Sequence, residues 1–127
     1  MDSYRGYHRG VAIVDDERAL VEVYRKIMET RGIPVCFVAY DGEDAVQRFA
    51  EHNPRPCVVL MDYRMPGVNG IQATRRIMRM DPSVKVIFIS ADDGVREEAI
   101  RAGAVKFVQK PASLKEILTA IESVGTC

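Results

Sequence analysis

Tryptophan is absent from this chain, histidine occurs twice and cysteine three times in 127 residues. No two cysteines form a C-x-x-C pair, and His8 and His52 lie far in sequence from Cys36, Cys57 and Cys127, so a zinc site is not expected. An excess of charge is missing too: 18 Lys and Arg balance 18 Asp and Glu. That balance argues against direct nucleic-acid binding and against an anionic membrane surface, both of which need a broad basic footprint. The apolar runs, such as Cys57-Val-Val-Leu-Met61, fall far short of the ~20 residues of a membrane span. The N-terminus has no apolar stretch of the secretory kind, so a cytoplasmic protein is expected. Neither G-x-G-x-x-G nor G-x-x-x-x-G-K-[ST] occurs, which disfavours a nucleotide-dependent oxidoreductase.

What is present is material for one domain, 47% of it apolar, large enough to fold without disulfides or a structural metal. Short β-branched runs alternate with segments of helical spacing. The runs are Val11-Ala-Ile-Val14, Val35-Cys-Phe-Val38, Cys57-Val-Val-Leu-Met61, Val84-Lys-Val-Ile-Phe-Ile89 and Val105-Lys-Phe-Val108. Several are apolar at consecutive positions, as suits strands covered on both faces. Cys36 and Cys57 fall in such runs and read as small core hydrophobes, whereas Cys127 is expected to be exposed.

Leu20, Val21, Tyr24, Ile27 and Met28 form the buried stripe of a first helix that stops at Gly32. Leu114, Ile117, Leu118 and Ile121 repeat the stripe in the last helix, with Ser113 as its N-cap and Glu116 as the capping-box partner. Weaker helical patterns cover residues 45–49, 71–78 and 95–102. Five strands alternating with five helices predict an α/β fold, a parallel sheet with helices on both faces. Residues 1–9 are expected to form a flexible arm, 10–124 the folded domain and 125–127 a short tail.

Ligands of such sheets bind beyond the carboxyl ends of the strands. There the sequence places Asp15-Asp16-Glu17 after strand one, Asp62 after strand three, Ser90 after strand four and Lys110-Pro111 after strand five. Each has an ordinary explanation when read alone: a helix cap, a loop residue, a turn hydroxyl, a solvated ammonium. Together they put the carboxylates of Asp15, Asp16 and Asp62, a hydroxyl and a lysine on one rim. Clustered carboxylates repel, so a shared cation or proton is expected, and Mg²⁺ suits an all-oxygen set. A metal, a lysine, a hydroxyl and a carboxylate nucleophile are the equipment of phosphoryl transfer.

Over about residues 10–124 the chain resembles the receiver domain of two-component response regulators. The resemblance rests on Val14-Asp-Asp-Glu17, on Met61-Asp-Tyr-Arg-Met-Pro-Gly67 with Gly70, and on Ile89-Ser-Ala91, Gly103-Ala104 and Lys110-Pro111, in this order and spacing. It implies a flavodoxin-like (βα)5 three-layer sandwich with strand order 2-1-3-4-5, which sets Cys36 and Cys57 on non-neighbouring strands. It also implies that Asp62 accepts a phosphoryl group from a sensor histidine kinase, a phosphotransfer protein or a small phosphodonor. Asp16, Asp62 and the backbone carbonyl of Arg64 would ligate Mg²⁺, with Asp15 acting through water. Lys110 would pair with Asp62 and then with the phosphoryl group, and the peptide before Pro111 would be cis. Ser90 and the Ala91 N–H would donate to phosphoryl oxygens.

Phe107 stands where the family has a switch aromatic; the alternative is a plain strand-five core residue. In the switch reading, phosphorylation remodels the face of helix four, strand five and helix five for a protein target that the sequence does not name. Arg64 and Asp92 flank the acceptor with opposite charges. They are expected to meet over it and slow dephosphorylation, or else to be two solvated surface charges. Val105-Lys106 and Ala112 depart from the pattern of receivers that form one salt-bridged dimer, so phosphorylation-dependent homodimerisation is left open. The chain ends shortly after the last helix, so no output domain is expected. It reads as a signalling module, not an enzyme with turnover on an external substrate. The alternatives are an Mg²⁺-dependent phosphohydrolase and a flavin- or nucleotide-binding flavodoxin-like domain.

Overall fold

A computed structural model describes residues 9–124. The tail, with Cys127, and the expected arm apart from Arg9 lie outside the described residues. Five strands, β1 (Val11–Val14), β2 (Val35–Ala39), β3 (Val58–Asp62), β4 (Lys85–Ser90) and β5 (Lys106–Gln109), form one sheet. All four pairings are parallel and the order is β2-β1-β3-β4-β5, as the resemblance implied. Five helices connect and cover them: α1 (Arg18–Thr30), α2 (Gly42–Glu51), α3 (Gly70–Met80), α4 (Arg96–Ala102) and α5 (Leu114–Ser123).

The consecutive apolar residues of the strands divide by parity between two cores. Val11 and Ile13 of β1, with Val58 and Leu60 of β3 and Ile87 and Ile89 of β4, meet Val21, Tyr24 and Met28 of α1 and Ile117 and Ile121 of α5. Ala12 and Val14, with Val59, Met61 and Phe88, meet Phe49 of α2, Ile77 of α3 and Ala99 of α4. Burial on both faces is why these strands lack polar alternation. Cys57 is buried at the foot of β3, while Cys36 is a half-buried free thiol on β2. β1 lies between β2 and β3.

The Ser113–Glu116 capping box is present at the start of α5. A second, Asn69 with Gln72, starts α3. Helical spacing placed the start of α4 at Val95, but Val95 closes a 3-10 turn, Asp93–Val95, and α4 begins at Arg96. The Asp92 side chain accepts from the Gly94 N–H and winds that turn before the helix begins. Gly103 ends α4 at φ +120°, with Met78 of α3 filling the space where a Cβ would stand.

Register fixes the height of each rim residue. Val14 pairs with Met61, so Asp15 follows β1 at the level of Asp62, the last residue of β3. Asp62 pairs with Ile89 and Ser90 with Gln109, so Ser90 and Lys110 stand one and two steps further along. The Lys110 N–H donates to the Ser90 carbonyl at 2.9 Å, and the Lys110–Pro111 peptide is cis.

Candidate functional site: an acidic pocket with one lysine

Asp15, Asp16 and Asp62 form the only cluster of potential metal ligands among the described residues. One carboxylate oxygen from each lies within 4.8 Å of the others. Asp15 and Asp62 are buried, at 3% and 7% exposure, while Asp16 is exposed. Two buried carboxylates at one strand level would repel strongly. Lys110 answers that charge, its Nζ donating to Asp15 Oδ2 at 2.8 Å and to Asp62 Oδ1 at 3.3 Å. The shorter bond goes to Asp15, whereas the resemblance had paired Lys110 with Asp62. Glu17 Oε1 lies 4.0 Å from the same ammonium.

The other Asp15 oxygen, Oδ1, accepts from the Glu17 N–H at 2.9 Å. Both oxygens of Asp15 are therefore engaged within the protein. The helix-cap reading of Asp15-Asp16-Glu17 holds only in part: Glu17 occupies the N-cap position of α1 without a side-chain cap bond.

Burial, reinforced by the charge of Asp15, raises the Asp62 pKa to about 6 despite the opposing pull of Lys110. Burial alone would lower the Lys110 pKa, but its hydrogen bond to Asp15 and the charge of Asp62 leave it raised. Tyr24, buried on α1, was legible only as a core residue. Burial raises its phenol, and the charges of Lys110, Asp15 and Asp62 all reach it.

Asp16 and Arg64 line a cavity of about 470 Å³ with Tyr63, Pro66, Gly67 and Asn69, an open approach to the acidic cluster. Ser90, at the end of β4, is 1% exposed, and its Oγ accepts from the Asp92 N–H at 3.0 Å. That bond uses a lone pair and leaves the hydroxyl proton free to be donated. Arg64 and Asp92 meet, Nη2 to Oδ2, at 3.3 Å. Phe107, 9% exposed, stacks on Phe88 with centroids 6.0 Å apart and planes 18° from parallel. The Arg96 guanidinium lies 4.6 Å from the centroid of the Phe107 ring, a contact that sequence spacing did not reveal.

The donor set around the three aspartates is hard oxygen with no imidazole or thiolate, which fits Mg²⁺. A parallel sheet of this order carrying such a pocket defines a class, and comparison with known proteins agrees. Residues 11–122 match the response regulator receiver domain family. The chain is 36% identical over 117 residues to chemotaxis protein CheY of Thermotoga maritima, spanning 91% of this chain and 96% of that one. It is 38% identical to response regulator UvrY of Escherichia coli over 90% of this chain and 53% of UvrY, so it spans about half of that relative. A chain of the crystal structure of the CheX-CheY-BeF3-Mg+2 complex from Borrelia burgdorferi superposes with a TM-score of 0.86 at 32% identity, covering 93% of this chain and 90% of that one.

The chain belongs to the response regulator receiver domain family. Receiver domains are signalling proteins of two-component systems. They work with histidine kinases or phosphotransfer partners and bind Mg²⁺ at an acidic site. Among the described residues no helix is long and apolar enough to cross a membrane. The phosphohydrolase and flavin- or nucleotide-binding alternatives are not favoured.

Proposed function

We propose that residues 10–124 form a receiver that takes a phosphoryl group on Asp62. An Asp62 oxygen attacks phosphorus, the new O–P bond forms, and the donor bond breaks with its electron pair leaving on the donor. That donor is a phosphohistidine of a sensor kinase or phosphotransfer protein, or a small acyl phosphate. The observation that carries this reading is the burial of Asp62 beside Asp15, Asp16 and Lys110.

Asp16, Asp62 and the Arg64 carbonyl would hold Mg²⁺, whose chemistry is to neutralise charge on the phosphoryl oxygens. The engagement of both Asp15 oxygens supports its acting through water. Lys110 follows the negative charge from the carboxylates to the phosphoryl group. Ser90 donates its free hydroxyl proton to a phosphoryl oxygen, and the Ala91 N–H adds a second donor.

Movement of Ser90 is read out at Phe107. This ring lines a groove of about 410 Å³ with Lys106, Gln109, Lys115 and Thr119 between β5 and α5, where a protein target would bind. Lys106 donates to Ser123 Oγ of α5 at 2.8 Å, which supports a face without the salt-bridged dimer. The setting is the cytoplasm. Mass spectrometry after incubation with acetyl phosphate and Mg²⁺ tests the proposal: one phosphoryl group is expected on the wild type and none on Asp62→Asn. Folded wild type that takes up no label would overturn it.

A further inference from the structure

We propose that Arg96 is a positioning residue that ties the location of the Phe107 ring to the state of Ser90. The proposal rests on the receiver reading above and extends it to a side chain with no part in the phosphoryl chemistry. The Phe107 ring has two neighbours of opposite character. Phe88 is wholly buried and packs against it from the interior. Arg96, half exposed at the first turn of α4, sets its guanidinium over the ring from the surface. A cation over an aromatic face is attractive, so any rotation of the ring away from this position gives up the contact.

Arg96 is itself tethered. Its Nε donates to Asp93 Oδ1 at 3.2 Å, and Asp93 opens the 3-10 turn that follows β4. At the other end of the same short segment, Ser90 Oγ holds the Asp92 N–H, and Asp92 Oδ1 holds the Gly94 N–H. A hydrogen bond joins Ser90 to Asp92, the peptide bond joins Asp92 to Asp93, and Asp93 in turn holds Arg96, whose guanidinium lies over Phe107. A Ser90 hydroxyl that turns to a phosphoryl oxygen disturbs the Asp92 bond, and with it the turn that anchors Arg96. The ring then loses its surface restraint as its interior space changes. Phe107 has no hydroxyl with which to fix either position, so a contact of this kind weighs more here than it would beside a tyrosine.

Phe107 ring signals and the Ser90 and Gln109 amides, read by NMR on phenylalanine- and amide-labelled protein, test the coupling. Spectra are taken with and without beryllofluoride and Mg²⁺, a stable phosphoryl mimic. In wild type the mimic is expected to shift all three reporters. Arg96→Ala without the mimic should already lie part of the way along the same line, the ratio of displaced to resting ring rising about two- to fivefold. Arg96→Lys, which keeps the cation, should fall between them. Both variants should still take one phosphoryl group from acetyl phosphate.

If the mimic moves the wild-type reporters but Arg96→Ala starts from the wild-type resting position, the coupling is overturned and the receiver reading stands. The coupling falls in the same way if Arg96→Lys matches Arg96→Ala in every reporter. If the mimic moves nothing in wild type and acetyl phosphate leaves no label, both fail.

Discussion

Arg64 and Asp92, 28 residues apart in sequence, meet with Nη2 3.3 Å from Oδ2, joining the loop after β3 to the loop after β4. The Arg64 side chain is 77% exposed, so the pair adds under ~1 kcal/mol to stability. The pair stands two residues beyond Asp62 on one side and two beyond Ser90 on the other, and under the proposed phosphorylation of Asp62 it would obstruct attacking water. Arg64→Ala is therefore expected to shorten the phospho-Asp62 lifetime several-fold while leaving the unfolding midpoint in urea unchanged. Phosphate release after removal of the donor measures that lifetime. A value equal to that of wild type would reduce the pair to a surface contact.

The approach of these two residues was one of two readings the sequence left open, suggested by the receiver resemblance and their opposite charges, while the strand ends they follow were easy to find. A strand covered on both faces must be apolar throughout, so Asp15 and Asp62 stand out as the first charges after an unbroken run. The capping box of Ser113 and Glu116 was equally legible, being local to four residues. The choice Lys110 makes between Asp15 and Asp62 was not. It depends on the relative height of three strands, and sequence shows each strand but not its register. The Arg96–Phe107 contact was hidden for a related reason: it joins the first turn of a helix to a neighbouring strand, and no periodicity links the two. The 3-10 turn at Asp93–Val95 escaped because its apolar residue, Val95, also fits the helical stripe that follows.

Lys110 stands between two buried carboxylates, with its own side chain 17% exposed. Replacing it by methionine leaves that charge uncompensated and is expected to cost ~3 kcal/mol at pH 7.5. The same substitution in an Asp15→Asn, Asp62→Asn background should cost under ~1 kcal/mol, because the charge it answered is gone. Urea titrations of the four proteins close the cycle. Equal costs in the two backgrounds would mean that Lys110 contributes through packing alone.

Gly70 opens α3 directly against the end of β3. A Cβ there would run into the Asp62 carbonyl oxygen and come within 3.0 Å of the Tyr63 Cα, both backbone atoms that cannot swing aside. The Gly70 N–H also donates to the Tyr63 carbonyl at 2.9 Å. Gly70→Ala is expected to cost about 1–3 kcal/mol and to slow phosphorylation by acetyl phosphate, since the clash falls on the backbone of the proposed acceptor. Gly67 provides the contrast. Its φ of +71° suits asparagine and the space beside it is open, so Gly67→Asn should stay within about 1 kcal/mol of wild type. Unaltered stability and phosphorylation in Gly70→Ala would show that the helix start yields without disturbing Asp62.

Asp62 is held at a pKa of about 6, above the usual carboxylate range, by burial and by the charge of Asp15. The native state thus binds this proton more tightly than the unfolded chain does, and ionised Asp62 destabilises the fold. The penalty is absent below the unfolded value near 4, grows as pH rises toward 6, and is complete above that. With a chelator present, Asp62→Asn should be more stable than wild type by roughly 1–3 kcal/mol at pH 7.5. The gap should close as pH falls toward 4, where wild type carries a neutral acid at the same position. Excess Mg²⁺ should raise the wild-type melting temperature more than that of the variant, since it binds the native carboxylates that the amide replaces. Denaturation curves at several pH values test this directly. A gap that stays constant from pH 4 to 7.5 would place the cost in side-chain shape and not in charge.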